Sequence, residues 1–125
     1  MDNPHYKAVG EEAGIKELVK VFYDKMDSDP ALKTIRDLHA EDLTEARDKL
    51  FEFLVGWMGG PPLYEQKYGH PRLRMRHMPF PIGEVERDQW MLCMRHAMEV
   101  CNIPEVTKKQ LDERFYQVAD FMRNT

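Results

Sequence analysis

Apolar positions recur along this chain at spacings of three and four, the period of helices that bury one face. Ile15, Leu18, Val19, Phe22 and Met26 form the first such stripe, and Asp29-Pro30 supplies a stop and a restart. Leu43, Ala46, Leu50, Phe53, Leu54 and Trp57 repeat the pattern up to Gly59-Gly60-Pro61-Pro62, which cannot continue a helix. Val85, Gln89, Leu92, Cys93, His96, Ala97 and Val100 mark a third long helix, broken between Asn102 and Pro104. Thr107 and Gln110 have capping-box spacing and are expected to open a last helix that buries Leu111, Phe115, Val118 and Met122. From Gly59 to about Arg72 the chain carries Gly, Pro and polar residues without periodicity and reads as a loop of roughly a dozen residues. A short helix follows over Leu73 to Met78, stopped by Pro79 and Pro81. No segment alternates with period two, and there is no repeat or low-complexity tract. The expected class is all-α, in a single domain over residues 1–125.

The 125 residues are 42% apolar and 32% charged, the range of one ordinary globular domain. A chain of this length has a radius of gyration of about 14 Å, enough for one core and too little for separate nucleotide and substrate domains. A net charge of −4 argues against general polyanion binding, so no nucleic acid is expected as a partner. The sequence has no stretch of 18 apolar residues and its start lacks the apolar run of a secretory signal. A cytoplasmic protein without a membrane partner is the expectation. Cys93 and Cys101, if on one helix, lie about 12 Å apart along its axis, too far for a disulfide.

The five histidines sort by setting. His5 sits in a polar N-terminus and is expected to be solvated, His96 falls on the apolar stripe of the third helix as a partly buried, hydrogen-bonded core residue, and His39 and His70 fit the surface. His77 differs. In GHPRLRMRHMPFP one imidazole shares a short helix with Arg72, Arg74 and Arg76 and is fixed between prolines. Guanidinium groups bind carboxylates or phosphates through paired hydrogen bonds, so the segment combines a metal ligand with anion-binding groups. The bland alternative is a solvated basic run. Neither histidine nor cysteine shows the spacing of a zinc site. Tyr23 and Trp90 are polar-tipped aromatics at the edges of their stripes, and core packing is the plain expectation for both.

FY at 22 and 23, WMGGPPLYEQKYGHPRLRMRH from Trp57 to His77, the following MPFPI, and ERDQWMLCM from Glu86 to Met94 closely resemble the group II truncated haemoglobins. The resemblance runs through nearly the whole chain and is strongest from Phe53 to Met94. It implies a globin-like, truncated two-over-two helical sandwich around haem b (iron protoporphyrin IX). The family's proximal histidine matches His77, its distal tyrosine Tyr23 and its distal tryptophan Trp90. A third, variable distal position matches His39. Ala46 and Leu50 match the positions that face the ligand from the second helix, and neither has a side-chain donor, which leaves polar control to Tyr23, His39 and Trp90. Phe53, Leu73, Met78, Phe80 and Ile82 are the expected apolar lining, with Arg74 or Arg76 and Tyr64 on the side where the haem carboxylates emerge. The resemblance implies reversible binding of O2, and of CO and NO, at ferrous iron. Roles in oxygen transport or in nitric oxide and peroxide detoxification, and a reductase as partner, stay open. So does a rival of another class, a helical interaction module without haem whose arginine-rich 72–76 segment meets an acidic partner.

Overall fold

The computed structural model describes residues 5–125, so the first four residues of the expected domain lie outside the described part. In chain order α1 (His5–Val9) leads into α2 (Glu11–Ser28), then a 3-10 turn (Pro30–Leu32) and the single-turn α3 (Lys33–Arg36) precede α4 (Thr44–Trp57). The short helices α5 (Leu63–Tyr68) and α6 (Leu73–His77) follow, then α7 (Glu84–Val100) and α8 (Glu105–Phe121). The four long predicted helices are α2, α4, α7 and α8, and no strand occurs among the described residues. α2 packs on both α4 and α7, and α7 on α8, which gives the two-over-two sandwich.

The α2 stripe of Ile15, Leu18, Val19, Phe22 and Met26 is buried. α7 departs from its predicted face. Val85, Leu92 and Val100 are 54%, 45% and 52% exposed, while Met91, Cys93, Met94, Ala97 and Met98 are buried. Three unbranched methionines, which adapt to irregular gaps, carry this side of the core, each worth about 1.5–3 kcal/mol relative to exposure. His96 is half-buried, as its stripe position implied, and sits beside a surface groove between α7 and α8. On α4 only Leu54 and Val55 are buried in the core, with Leu43 and Met58 buried just beyond its two ends, whereas Ala46, Leu50 and Phe53 are half-buried along one face. That face is apolar for another reason, given below.

α4 ends as its glycines require. Gly59 has φ +105°, the left-handed region that other residues avoid, and the Gly60 N–H donates to Val55 O at 2.8 Å. The expected loop from Gly59 to Arg72 is shortened by α5. Pro61-Pro62 presets the backbone for a helical start, and Tyr64 is buried edge-on against Phe53 at a centroid separation of 6.3 Å, so tertiary packing stabilises a helix too short to show a period. α8 likewise starts two residues before Thr107, because Pro104 (φ −53°) occupies the cap and its carbonyl accepts from Lys108 N–H at 2.8 Å. His5 is buried, not solvated. Arg114 can only donate, so its contact to His5 Nδ1 (3.2 Å) assigns the ring proton to Nε2, which donates to Gln110 Oε1 at 3.1 Å. This ties α1 to α8. At the α1–α2 junction a Cβ on Gly14 would lie 1.9 Å from Val9 O, so no larger residue fits there.

Candidate functional site

α6 is one turn and a half long, set off by Pro71 before it and Pro79 after it. It starts at Arg72, whose φ of +44° is unusual for a residue with a side chain, and Arg72 N–H donates to His70 Nδ1 at 3.1 Å. His77 at its end donates from Nδ1–H to Leu73 O at 2.6 Å. A carbonyl only accepts, so this bond fixes the tautomer and leaves the Nε2 lone pair free to ligate.

His77 lines a cavity of about 590 Å³. The half-buried α4 face, Ala46, Leu50 and Phe53, lines it too, together with Leu73, Phe80 and Ile82, and with Val118 and Met122 from α8. The unfilled α4 stripe is thus the wall of a pocket. Tyr23 from α2, His39 after α3 and Trp90 from α7 reach the same cavity. Trp90 is wedged edge-on between Phe22 and Phe115, with ring centroids 5.2 and 5.7 Å away. Tyr23 meets His39 edge-on at 5.8 Å, and the Arg47 guanidinium lies 5.8 Å from the Tyr23 ring centre.

Burial pushes the Tyr23 phenol far above its ordinary value, only partly opposed by Arg47, so Tyr23 keeps its proton and can donate. His39 is shifted the other way. Burial lowers its pKa, the bond from Nδ1–H to Ile35 O (2.9 Å) opposes this, and the charge of Arg36 lowers it further. His39 is therefore neutral at pH 7: its proton sits on Nδ1, and its Nε2 accepts. Of the three polar residues only Tyr23 and Trp90 offer donors at neutral pH.

Among the expected cations, Arg76 lines the cavity, with its guanidinium 5.9 Å from the Tyr64 ring centre. Arg74 does not: its Nη1 donates to Phe121 O at 3.0 Å and its guanidinium stacks on the Phe121 ring. Met78, 56% exposed, also lies outside the cavity, because the turn after His77 carries it to the surface. Lys49 lines the cavity and was not among the expected residues. The signal existed, since 46, 49, 50 and 53 fall on one helix face. Glu86 and Arg87 at the start of α7 also reach it, held by the Glu86 carboxylate accepting from Gly83 N–H at 2.7 Å and by the Arg87–Asp120 ion pair at 2.8 Å.

Among the described residues no three His, Cys, Asp or Glu side chains gather to hold a metal ion. A metal held here by one imidazole needs its remaining ligands from a macrocycle. Haem fits on that ground, and on size, since ligand cavities run from about 300 to 1,000 Å³ with an apolar lining and a few polar groups.

A model of the Bacterial-like globin family matches residues 4–124. The chain is 41% identical over 122 residues to Group 2 truncated hemoglobin YjbI of Bacillus subtilis, a match that spans 98% of this chain and 89% of that protein. It superposes on the cold-adapted truncated hemoglobin of the Antarctic marine bacterium Pseudoalteromonas haloplanktis with a TM-score of 0.94 and 41% identity, over 97% of this chain and 98% of the other. The group II 2-on-2 hemoglobin of Agrobacterium tumefaciens gives 0.90 and 38%, over 96% and 93%. The chain belongs to the bacterial-like globins, as a group II truncated haemoglobin. It is a haem-binding globin, of a family that takes small diatomic ligands such as O2, and this sets aside the haem-free interaction module. Among the described residues no helix is long and apolar enough to cross a membrane.

Proposed function

We propose that the chain binds haem b in the cavity beneath α4, with His77 Nε2 as the protein ligand to iron, and that it takes up O2 reversibly, with CO and NO as further ligands. Bound haem supplies the iron coordination position at which such a molecule is held. The observation that carries this reading is the His77 imidazole, oriented by its 2.6 Å bond to Leu73 O inside a 590 Å³ cavity. That bond raises the basicity of Nε2 and fixes the ring plane. Leu50, Phe53, Leu73, Phe80 and Ile82 give the macrocycle an apolar bed that excludes water. Arg76 and Lys49, with the Tyr64 hydroxyl, meet the two carboxylates, and Arg74 is left to its contact with Phe121. Tyr23 and Trp90 donate hydrogen bonds to a bound diatomic ligand, while neutral His39 accepts.

The same polar pocket supports oxidation of nitric oxide or peroxide-dependent oxidation. Turnover of nitric oxide requires a reductase partner, whereas peroxide-dependent oxidation draws its electrons from the substrate it oxidises, and NO consumption measured with and without an added reductant separates NO turnover from simple binding. Titration of the purified protein with hemin tests the binding reading itself. Saturation at one equivalent with a Soret band supports it, and a spectrum identical to free hemin overturns it.

A further inference from the structure

None of the residues of α6 is buried, so packing alone does not hold this helix in place. Polar bonds from the segment after α8 do. The Asn124 side-chain amide donates from Nδ2 to Phe80 O at 2.7 Å and, at a longer 3.4 Å, to His77 O. Its Oδ1 accepts from Ile82 N–H at 3.0 Å, and its own backbone N–H donates to Ile82 O at 2.8 Å. One residue therefore closes both sides of the turn from His77 to Ile82. Arg74 adds a second tie, through Phe121 O.

The His77 carbonyl is one of the groups that a helix C-terminus leaves without an intrahelical partner. In this chain it accepts from Phe80 N–H at 3.0 Å and from Asn124. The residues of the turn are divided in their exposure: Met78 and Phe80 are exposed, and only Ile82 is buried. Asn124 does not line the cavity, so any effect it has on the site passes through the turn it holds, of which His77, Phe80 and Ile82 line the cavity.

We infer that Asn124 is a positioning residue for His77: by fixing the turn that follows α6, it sets the angle at which the imidazole enters the cavity. The inference rests on His77 as the iron ligand. Alanine at 124 removes all three side-chain bonds and keeps the backbone one. Aspartate keeps an acceptor for Ile82 N–H but turns a carboxylate toward two carbonyl oxygens, so it is the harsher change although it is close in size.

The test compares wild type, Asn124→Ala and Asn124→Asp by two measurements on haem-loaded protein. One is amide hydrogen exchange at Phe80 and Ile82; the other is the iron–histidine stretching band of the ferrous form, read by resonance Raman. The expected result is exchange about tenfold faster in Asn124→Ala, the scale on which one or two hydrogen bonds act, with a shifted or broadened iron–histidine band and a larger change of both in Asn124→Asp. Unchanged exchange overturns the inference. Faster exchange with an unchanged band also overturns it, because Asn124 is then a local clasp with no hold on the imidazole. A wild type with no iron–histidine band overturns the His77 assignment instead, and exchange alone then decides whether Asn124 holds the turn.

Discussion

Replacement of Trp90 by phenylalanine should speed O2 release more than any other single change in the cavity. The indole N–H can only donate, and Ala46 and Leu50 bring no donor to the same cavity. A bound ligand that gains partial negative charge is stabilised by about 1–3 kcal/mol through such a bond, roughly 5- to 150-fold in dissociation rate. The geometry keeps this effect separable from damage to the fold. Trp90 touches Phe22 and Phe115 edge-on at 5.2 and 5.7 Å, and phenylalanine retains a ring in both contacts. The stability loss is then on the order of one such pair, about 0.5–1.5 kcal/mol. For 125 residues this lowers Tm by several degrees, about 3–5 °C per kcal/mol. Stopped-flow dissociation of O2 and of CO from wild type, Trp90→Phe and Tyr23→Phe is the assay. CO is less polar, so its release should change less. An O2 off-rate within about twofold of wild type, below ~0.5 kcal/mol, refutes the reasoning. So does an equal change for O2 and CO, since both outcomes make Trp90 a packing residue.

Two further outcomes follow from the same geometry. His39 has a folded pKa below its ordinary value of about 6.5, so the unfolded chain takes up a proton first, and stability should fall as the pH drops below about 6.5 through the folded pKa; a spectral and thermal titration should show this step in wild type and not in His39→Phe, and identical curves would remove His39 from the cavity. Arg76→Ala should release hemin about fivefold faster, near 1 kcal/mol for an exposed cation at the rim, while Arg74→Ala should leave hemin release unchanged and lose only the Phe121 contact, and the reverse order in a hemin-transfer assay would exchange their roles.

What the sequence made legible was what repeats or what is locally dense. The stripes of α2 and α4 follow from spacing, and Gly59 stops α4 where a positive φ is needed. His77 stood out because arginines and prolines crowd around it over a few residues. α5 and α3 were not legible, since a helix of one or two turns shows no period and is held by contacts made elsewhere. The α7 face was misplaced because Val85, Leu92 and Val100 look more apolar than the methionines that fill the core. A stripe also cannot say what it faces: Ala46, Leu50 and Phe53 carry the same spacing whether they meet another helix or a cavity. Arg74 and Arg76 are equivalent in sequence and separate only when Phe121 is seen beside one of them. Asn124 lay outside any pattern, because its partners are backbone atoms more than 40 residues away.

The most direct measurement of the central claim, that His77 is the residue through which this globin holds haem iron, is the ferrous absorption spectrum of His77→Gly beside wild type and His70→Gly, with and without added imidazole. His77 is the histidine whose Nδ1 is tied to Leu73 O inside the cavity, whereas His70 is exposed and hydrogen-bonds to the Arg72 backbone. The expected result is loss of most hemin affinity in His77→Gly, partial return of the wild-type spectrum when imidazole fills the space left by the side chain, and a nearly silent His70→Gly. A His77→Gly protein that binds hemin as tightly as wild type and keeps a five-coordinate, histidine-ligated ferrous spectrum without imidazole would contradict the assignment.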